Sequence, residues 1–165
     1  VRALLGGRAK VFHDGDATRS AVRDGLGDAI WAHFTCHTVG DLADPASGAL
    51  LLAGGRLSVR DIAALPRVDR ALIYLSACTT ALSEGLLADE GMHVASGCQL
   101  AGFPTVIGTL WRVDDDAAAQ VAADFYRSLR EGREPAVALH EAVGVLRARY
   151  PTGPALWGAF VHIGR

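Results

Sequence analysis

ALIYLSAC, residues 71–78, is an apolar run of strand length that stops at a serine, an alanine and a cysteine. Its hydrophobicity is nearly continuous rather than alternating, as required of a strand covered on both faces of a parallel sheet. DAIWAHFTC (28–36) and TVIGTLW (105–111) have the same character, and ALWGAFVHI (155–163) reads as a final apolar strand. Between these runs the period changes. DATRSAVRDGL (16–26) has a capping aspartate followed by Ala21, Val22 and Leu26 at helical spacing. Residues 117–130 set Val121, Phe125 and Leu129 on one face, with Asp116 as the expected cap, and residues 135–149 do the same with Leu139, Val143 and Leu146.

Shorter signals fill the remainder. RAKVF (8–12) reads as a short strand, and Gly54 and Gly55 between ALLL and RLSV mark a small hairpin over 49–59. SVRDIAAL (58–65) reads as a helix closed by Pro66. TTALSEGLLADEG (79–91) reads as a surface loop and GMHVASGCQLAG (91–102) as a helix ended by Gly102. Strands alternate with helices, so the expected fold class is α/β with a largely parallel, doubly wound sheet.

Composition narrows the function. The chain has 165 residues, half of them hydrophobic, which suits one domain with a sizeable core. A net charge of −2 from interspersed signs shows no basic stripe, so nucleic acid is not an expected direct partner. Charge or glycine interrupts every apolar run before the ~20 residues of a membrane span, and no membrane partner is expected. Three widely spaced cysteines, Cys36, Cys78 and Cys98, fit neither a disulfide framework nor a paired zinc module; they read as free thiols in a reducing, cytoplasmic setting. Lys10 is the only lysine among many arginines, and alanine and glycine are abundant, a composition that points to a GC-rich bacterial genome.

In open α/β sheets the reactive groups gather beyond the carboxyl ends of the strands. That rule selects His37 after the first buried strand, Cys78 after the second and the acidic loop Asp114, Asp115 and Asp116 after the third. If the first two strands are neighbours, an imidazole meets a thiol, the arrangement that nucleophilic cysteine catalysis needs. The imidazole would take the thiol proton and return it to the leaving amine, and backbone amides at the turns would hold the oxyanion. Each position also has a plain reading, since a strand-end cysteine is commonly a small buried hydrophobe. Cys36 and Cys98 read as packing residues. His33 and His37 share the spacing of a zinc-protease helix, but on a strand residues four apart lie roughly 13 Å from each other. Phe34 also stands where HExxH needs glutamate, so no metal is expected. Neither GxGxxG nor GxxxxGK[ST] occurs, which disfavours a nucleotide cofactor.

At HFTCH (33–37), YLSACTT (74–80) and TLWRVDD (109–115) the chain resembles the CHAT domain family, caspase-like cysteine peptidases related to separases and often found behind TPR repeats. The likeness continues through DPASGALLL, LSVRDIAAL, ADEGMHVASGCQLAGFPTVIGTLWRVDD and ALWGAFVHIG, covering nearly everything from residue 8 onward. It implies a single caspase-like three-layer sandwich over residues 1–165 with a mostly parallel central sheet. It also implies a cysteine endopeptidase that needs no cofactor, with a protein substrate and a regulatory region, TPR-type or other, upstream or in trans. His37 matches the family's catalytic histidine and Cys78 its nucleophile, 41 positions on where the caspase pattern has about 50. Thr38 and Cys78 would supply oxyanion amides. Ser76, two before the cysteine, matches a residue lining the pocket for the side chain before the cut. Asp115 matches the separase acid that recognises a basic residue there, so cleavage after Arg or Lys is implied.

Three departures accompany the likeness. Thr38 replaces the glycine after the histidine, where a positive φ would cost a β-branched residue, and Ala81 replaces a glycine in the loop after the cysteine. The family's first strand and helix precede the RAKVF strand, and VRALLGG resembles only the end of that helix. The chain is therefore expected to lack the first strand, as one piece of a longer or divided protein or as a shortened variant. The alternative function is a catalytically silent adaptor on the same fold; a thiol redox sensor is disfavoured by the lack of a resolving cysteine near Cys78.

Overall fold

The computed structural model describes residues 9–39, 48–66, 69–76 and 87–164, with side chains from residue 94 onward in the last stretch. After a short 3-10 turn at Asp14–Asp16, the elements are α1 (Arg19–Gly27), β1 (Trp31–Phe34), β2 (Thr38–Val39), β3 (Ala49–Leu52), β4 (Gly55–Ser58), α2 (Val59–Ala63), β5 (Leu72–Leu75), α3 (Leu87–Leu100), β6 (Thr105–Thr109), α4 (Asp115–Arg130), α5 (Pro135–Arg149), α6 (Pro154–Trp157) and β7 (Phe160–Gly164). The main sheet has the order β1-β5-β6-β7. Its first three strands are parallel and β7 is antiparallel to β6. A second sheet, β2-β3-β4, is wholly antiparallel.

The alternation along β5 shows why its sequence is apolar on every residue. Ile73 and Leu75 enter a core shared with Val22 and Leu26 of α1, Ile62 of α2, Val94 and Cys98 of α3, and Leu50 and Leu57 of the small sheet. Leu72 and Tyr74 enter a second core with Val121, Phe125 and Tyr126 of α4 and Leu139 and Leu146 of α5. All four β5 side chains are buried. Helices thus cover both faces of a mostly parallel sheet, the α/β sandwich expected from the sequence.

Local chemistry sets the boundaries. Ser58 and Asp61 form a reciprocal capping box at the start of α2. Gly54, at φ 74°, makes the hairpin between β3 and β4. Beyond the end of α3, Gly102 adopts φ 102°, as its terminating role requires. There the buried Arg70 guanidinium donates to the carbonyl of Ala101 and, at 3.2 Å, to that of Pro66.

Several expected elements differ. Residues 9–12 of the RAKVF segment form no strand; Val11 and Phe12 are exposed at their edges, and the Phe12 ring lies against Gly25 of α1 instead of a ladder neighbour. The first buried strand is confined to Trp31–Phe34, shorter at both ends than expected. Thr18, not Asp16, caps α1, accepting from the Ala21 amide. The helix expected from 91 begins at Leu87, so Gly91 lies within it, and residues 79–86 of the expected loop lie outside the described residues. Asp114, not Asp116, caps α4, its Oδ1 accepting from the amides of Asp116 and Ala117. The closing apolar run divides into α6 and β7 because Pro154 starts a helical turn before the strand.

Gly97 sits where α3 crosses α2. A Cβ there would come within 2.7 and 2.9 Å of the two Val59 methyls, and Val59 is buried and stiff at χ1. Overpacking of this kind costs about 1–3 kcal/mol, against about 1 kcal/mol gained in helix propensity. Gly97→Ala is therefore expected to lower stability in urea titrations. In the Val59→Ala background the same substitution should cost less; equal effects in both backgrounds would place the strain elsewhere.

Candidate active site

β1 and β5 are adjacent and parallel, with Phe34 and Leu75 as the last Cα partners. The Ser76 amide then donates to the Phe34 carbonyl at 2.9 Å, extending the ladder one rung past β5. Ser76 is thereby fixed at the carboxyl edge of the sheet. His37 lies three residues beyond Phe34 and is exposed, and its carbonyl accepts from the Leu51 amide at 2.8 Å, tying it to β3.

Thr38 follows as the first residue of β2, opposite Leu50 and 2% exposed. Because the bond runs from Leu51 to His37, Thr38 and Leu50 form a non-hydrogen-bonded antiparallel pair, in which the amides face away from the partner strand. The Thr38 N–H therefore points outward from β3. Asp14 is the one non-glycine with positive φ among the described residues, so Thr38 adopts ordinary extended backbone and the strain expected there does not arise.

Asp115 is the first residue of α4, beyond the end of β6 on the same carboxyl edge, one strand over from Ser76. It is exposed and borders an open recess with Arg112, Val113 and Asp114. Asp114 is engaged as the cap; Asp115 and Asp116 occupy the first turn, where the helix dipole favours carboxylates. Cys78 and Ala81 lie outside the described residues. Of the expected site residues, Ser76 stands at the end of β5 beside Phe34, His37 and Thr38 lead from β1 into β2 of the second sheet, and Asp115 lies along the main sheet's carboxyl edge.

The two described cysteines are ill suited to nucleophilic chemistry. Burial pushes the Cys36 thiol up to about 11 and the Cys98 thiol up to about 12, so both stay protonated at neutral pH. Both read as packing residues from sequence, and both pack in the core beneath α3 and the small sheet. Among the described residues no three His, Cys, Asp or Glu side chains converge on one point.

His33 entered the sequence reading as a possible metal partner of His37, and its contacts in the fold are of another kind. Its ring stacks on Tyr74, its register partner, with centroids 4.6 Å apart, and on Tyr126 of α4 at 5.6 Å. Its Nε2 lies 3.4 Å from Ser76 Oγ. The sequence signal was the two-residue step from Tyr74 to Ser76, which puts both on the face that carries His33, but only the register reveals it.

The fold and this edge define an α/β sandwich whose candidate site is built at the carboxyl ends of parallel strands. A family model for the CHAT domain matches residues 1–165, and the chain belongs to the CHAT domain family, which is caspase-like. No curated protein matches the chain. Among the described residues no helix is long and apolar enough to cross a membrane.

Burial holds the His33 imidazole down at about 4. An unfolded His33 binds a proton below about 6.5, so between those values the unfolded chain holds the extra proton and stability falls as the pH is lowered. The share at stake is at most about 3 kcal/mol, reached near pH 4. His33→Phe removes it. Urea titrations at pH 7, 5.5 and 4.5 should show the variant gaining on the wild type as the pH drops; a constant difference would mean that His33 carries no proton linkage.

Proposed function

We propose that the protein is a cysteine endopeptidase in which His37 activates Cys78 and cleavage follows a basic residue. The observation that supports this reading is the parallel register of β1 and β5, which brings Phe34, three residues before His37, beside Leu75 and Ser76. Chain connectivity allows at most about 7 Å between the Cα atoms of Ser76 and Cys78. On this reading Cys78 and His37 would stand close enough for base and nucleophile to cooperate.

In the proposed reaction His37 takes the Cys78 proton, and the thiolate attacks the carbonyl carbon of the scissile peptide. The resulting oxyanion is met by backbone amides, for which the outward-facing Thr38 N–H and that of Cys78 are the candidates. Collapse expels the amine, protonated by His37, and leaves a thioester; water, deprotonated by the same imidazole, then releases the acid and restores the thiol. Asp115 selects a guanidinium or ammonium by charge-assisted hydrogen bonding, and its exposed position outside any ion pair among the described residues leaves its carboxylate open to one.

The competing reading is an adaptor with the same fold and no turnover. Fluorogenic peptides with Arg or Lys before the cut should be hydrolysed by the wild type and not measurably by Cys78→Ala. Asp115→Asn should lower kcat/KM for them by about 10-fold or more, the worth of a charge-assisted hydrogen bond. Haloacetamide at pH 7.5, followed by peptide mapping, should modify Cys78 well ahead of Cys36 and Cys98. Equal inertness of wild type and Cys78→Ala, with uniformly slow labelling, would decide for the adaptor.

A further inference from the structure

The inference rests on the peptidase reading and concerns the wall of its substrate pocket. Ser76 has two anchors. Its amide is tied to Phe34, and its hydroxyl faces the imidazole of His33. That ring packs in a cluster with Tyr74, at an interplanar angle of 23°, and Tyr126, at 29°. Tyr126 is itself held edge-on by Phe125, and both are buried. The aromatic layer between β1, β5 and α4 thus holds the plane of the ring, and within that plane Nε2 faces Ser76 Oγ.

We propose that His33 is a positioning residue that sets the Ser76 hydroxyl so that the pocket presents only hydrogen-bond acceptors to the side chain before the cut. A serine hydroxyl has one proton and two lone pairs. When Nε2 accepts that proton, the lone pairs of Oγ turn toward the cleft. A guanidinium or ammonium end carries donors and no acceptor, so the pocket suits it; a neutral amide end would set its carbonyl oxygen against those lone pairs. A protonated imidazole would reverse the arrangement by donating to Oγ and turning the serine proton outward. Burial of the ring opposes that state. The separation of 3.4 Å is long for a serine–imidazole bond.

The test combines spectroscopy with kinetics. In long-range proton–nitrogen spectra of the ¹⁵N-labelled protein at pH 7, His33 should carry its proton on Nδ1, and Ser76→Ala should shift its Nε2 resonance. Against peptides with arginine before the cut, His33→Phe, which keeps the aromatic stack, should raise KM about 3- to 10-fold and leave kcat within about 2-fold. His33→Gln, which restores an acceptor, should recover part of the loss. The preference for arginine over its neutral isostere citrulline should narrow by a similar factor in His33→Phe and in Ser76→Ala, and the double variant should be no worse than Ser76→Ala alone. Multiplying effects, a fall in kcat at unchanged KM, or an Nε2 resonance indifferent to Ser76→Ala in an active enzyme would overturn the positioning role and leave the peptidase reading intact. Wild type as inert as Cys78→Ala, with the resonance responding as expected, would overturn the peptidase reading and the pocket role with it.

Discussion

Parallel strands cannot be joined by a tight turn, so β1 and β5 meet only because the intervening chain folds into an antiparallel sheet and a helix of its own. The placement of the site depends on that pairing. Its last rung, from the Ser76 amide to the Phe34 carbonyl, fixes which residues stand at the sheet's edge. A slip of one residue would turn Ile73 and Leu75 from the core under α3 to the core under α4, and Tyr74 the other way. With two cores of such different shape, one faced by aromatic rings and the other by aliphatic side chains, the register is strongly specified. The same rung that satisfies the backbone therefore aligns the strand ends that carry the candidate chemistry.

The sequence was most legible where burial is two-sided. LIYL, TVIGT and the helix over 135–149 announce themselves by length and period because packing on both faces, or along one stripe, leaves few alternatives. It was least legible where tertiary contacts decide. Val11 and Phe12 look like strand residues by propensity, yet the ring of Phe12 rests on α1, and a strand without a ladder neighbour does not form. Asp114 and Asp116 are equally good caps by composition; the one whose backbone is extended, at φ −55° and ψ 137°, takes the role. Gly91 looked like a boundary because glycine disfavours a helix, but its cost is only about 1 kcal/mol and α3 runs through it.

The candidate site shows the same division. The rule that chemistry gathers at carboxyl strand ends needs only the order of the elements, and it selects His37 and the acidic turn at α4. The contact between His33 and Ser76 needs the register as well, since the two residues are far apart in sequence and meet because Tyr74 is the partner of one and the second neighbour of the other. HFTCH therefore holds two histidines of opposite character: one exposed past the strand's end, the other clustered with Tyr74 and Tyr126 and held neutral by burial. Cys36, between them, is kept protonated by the same burial that packs it.

Thr38 bears on whether the departure from glycine argues against catalysis. Glycine is demanded at a position by a left-handed backbone or by a close approach to the Cβ. Neither a positive φ nor an exposed, strained turn is found at Thr38: it sits in an extended strand, buried, with the ladder bond passing through His37 instead. The proposed oxyanion role would require an amide directed away from β3, and the alternation of the antiparallel ladder gives that direction whatever the side chain. The β-branched side chain meanwhile suits a strand better than glycine would, and it stiffens the segment that follows the imidazole. The backbone at 38 is thus compatible with threonine, whose buried Oγ1 has no hydrogen-bond partner among the described residues; the decision between enzyme and adaptor falls to the thiol.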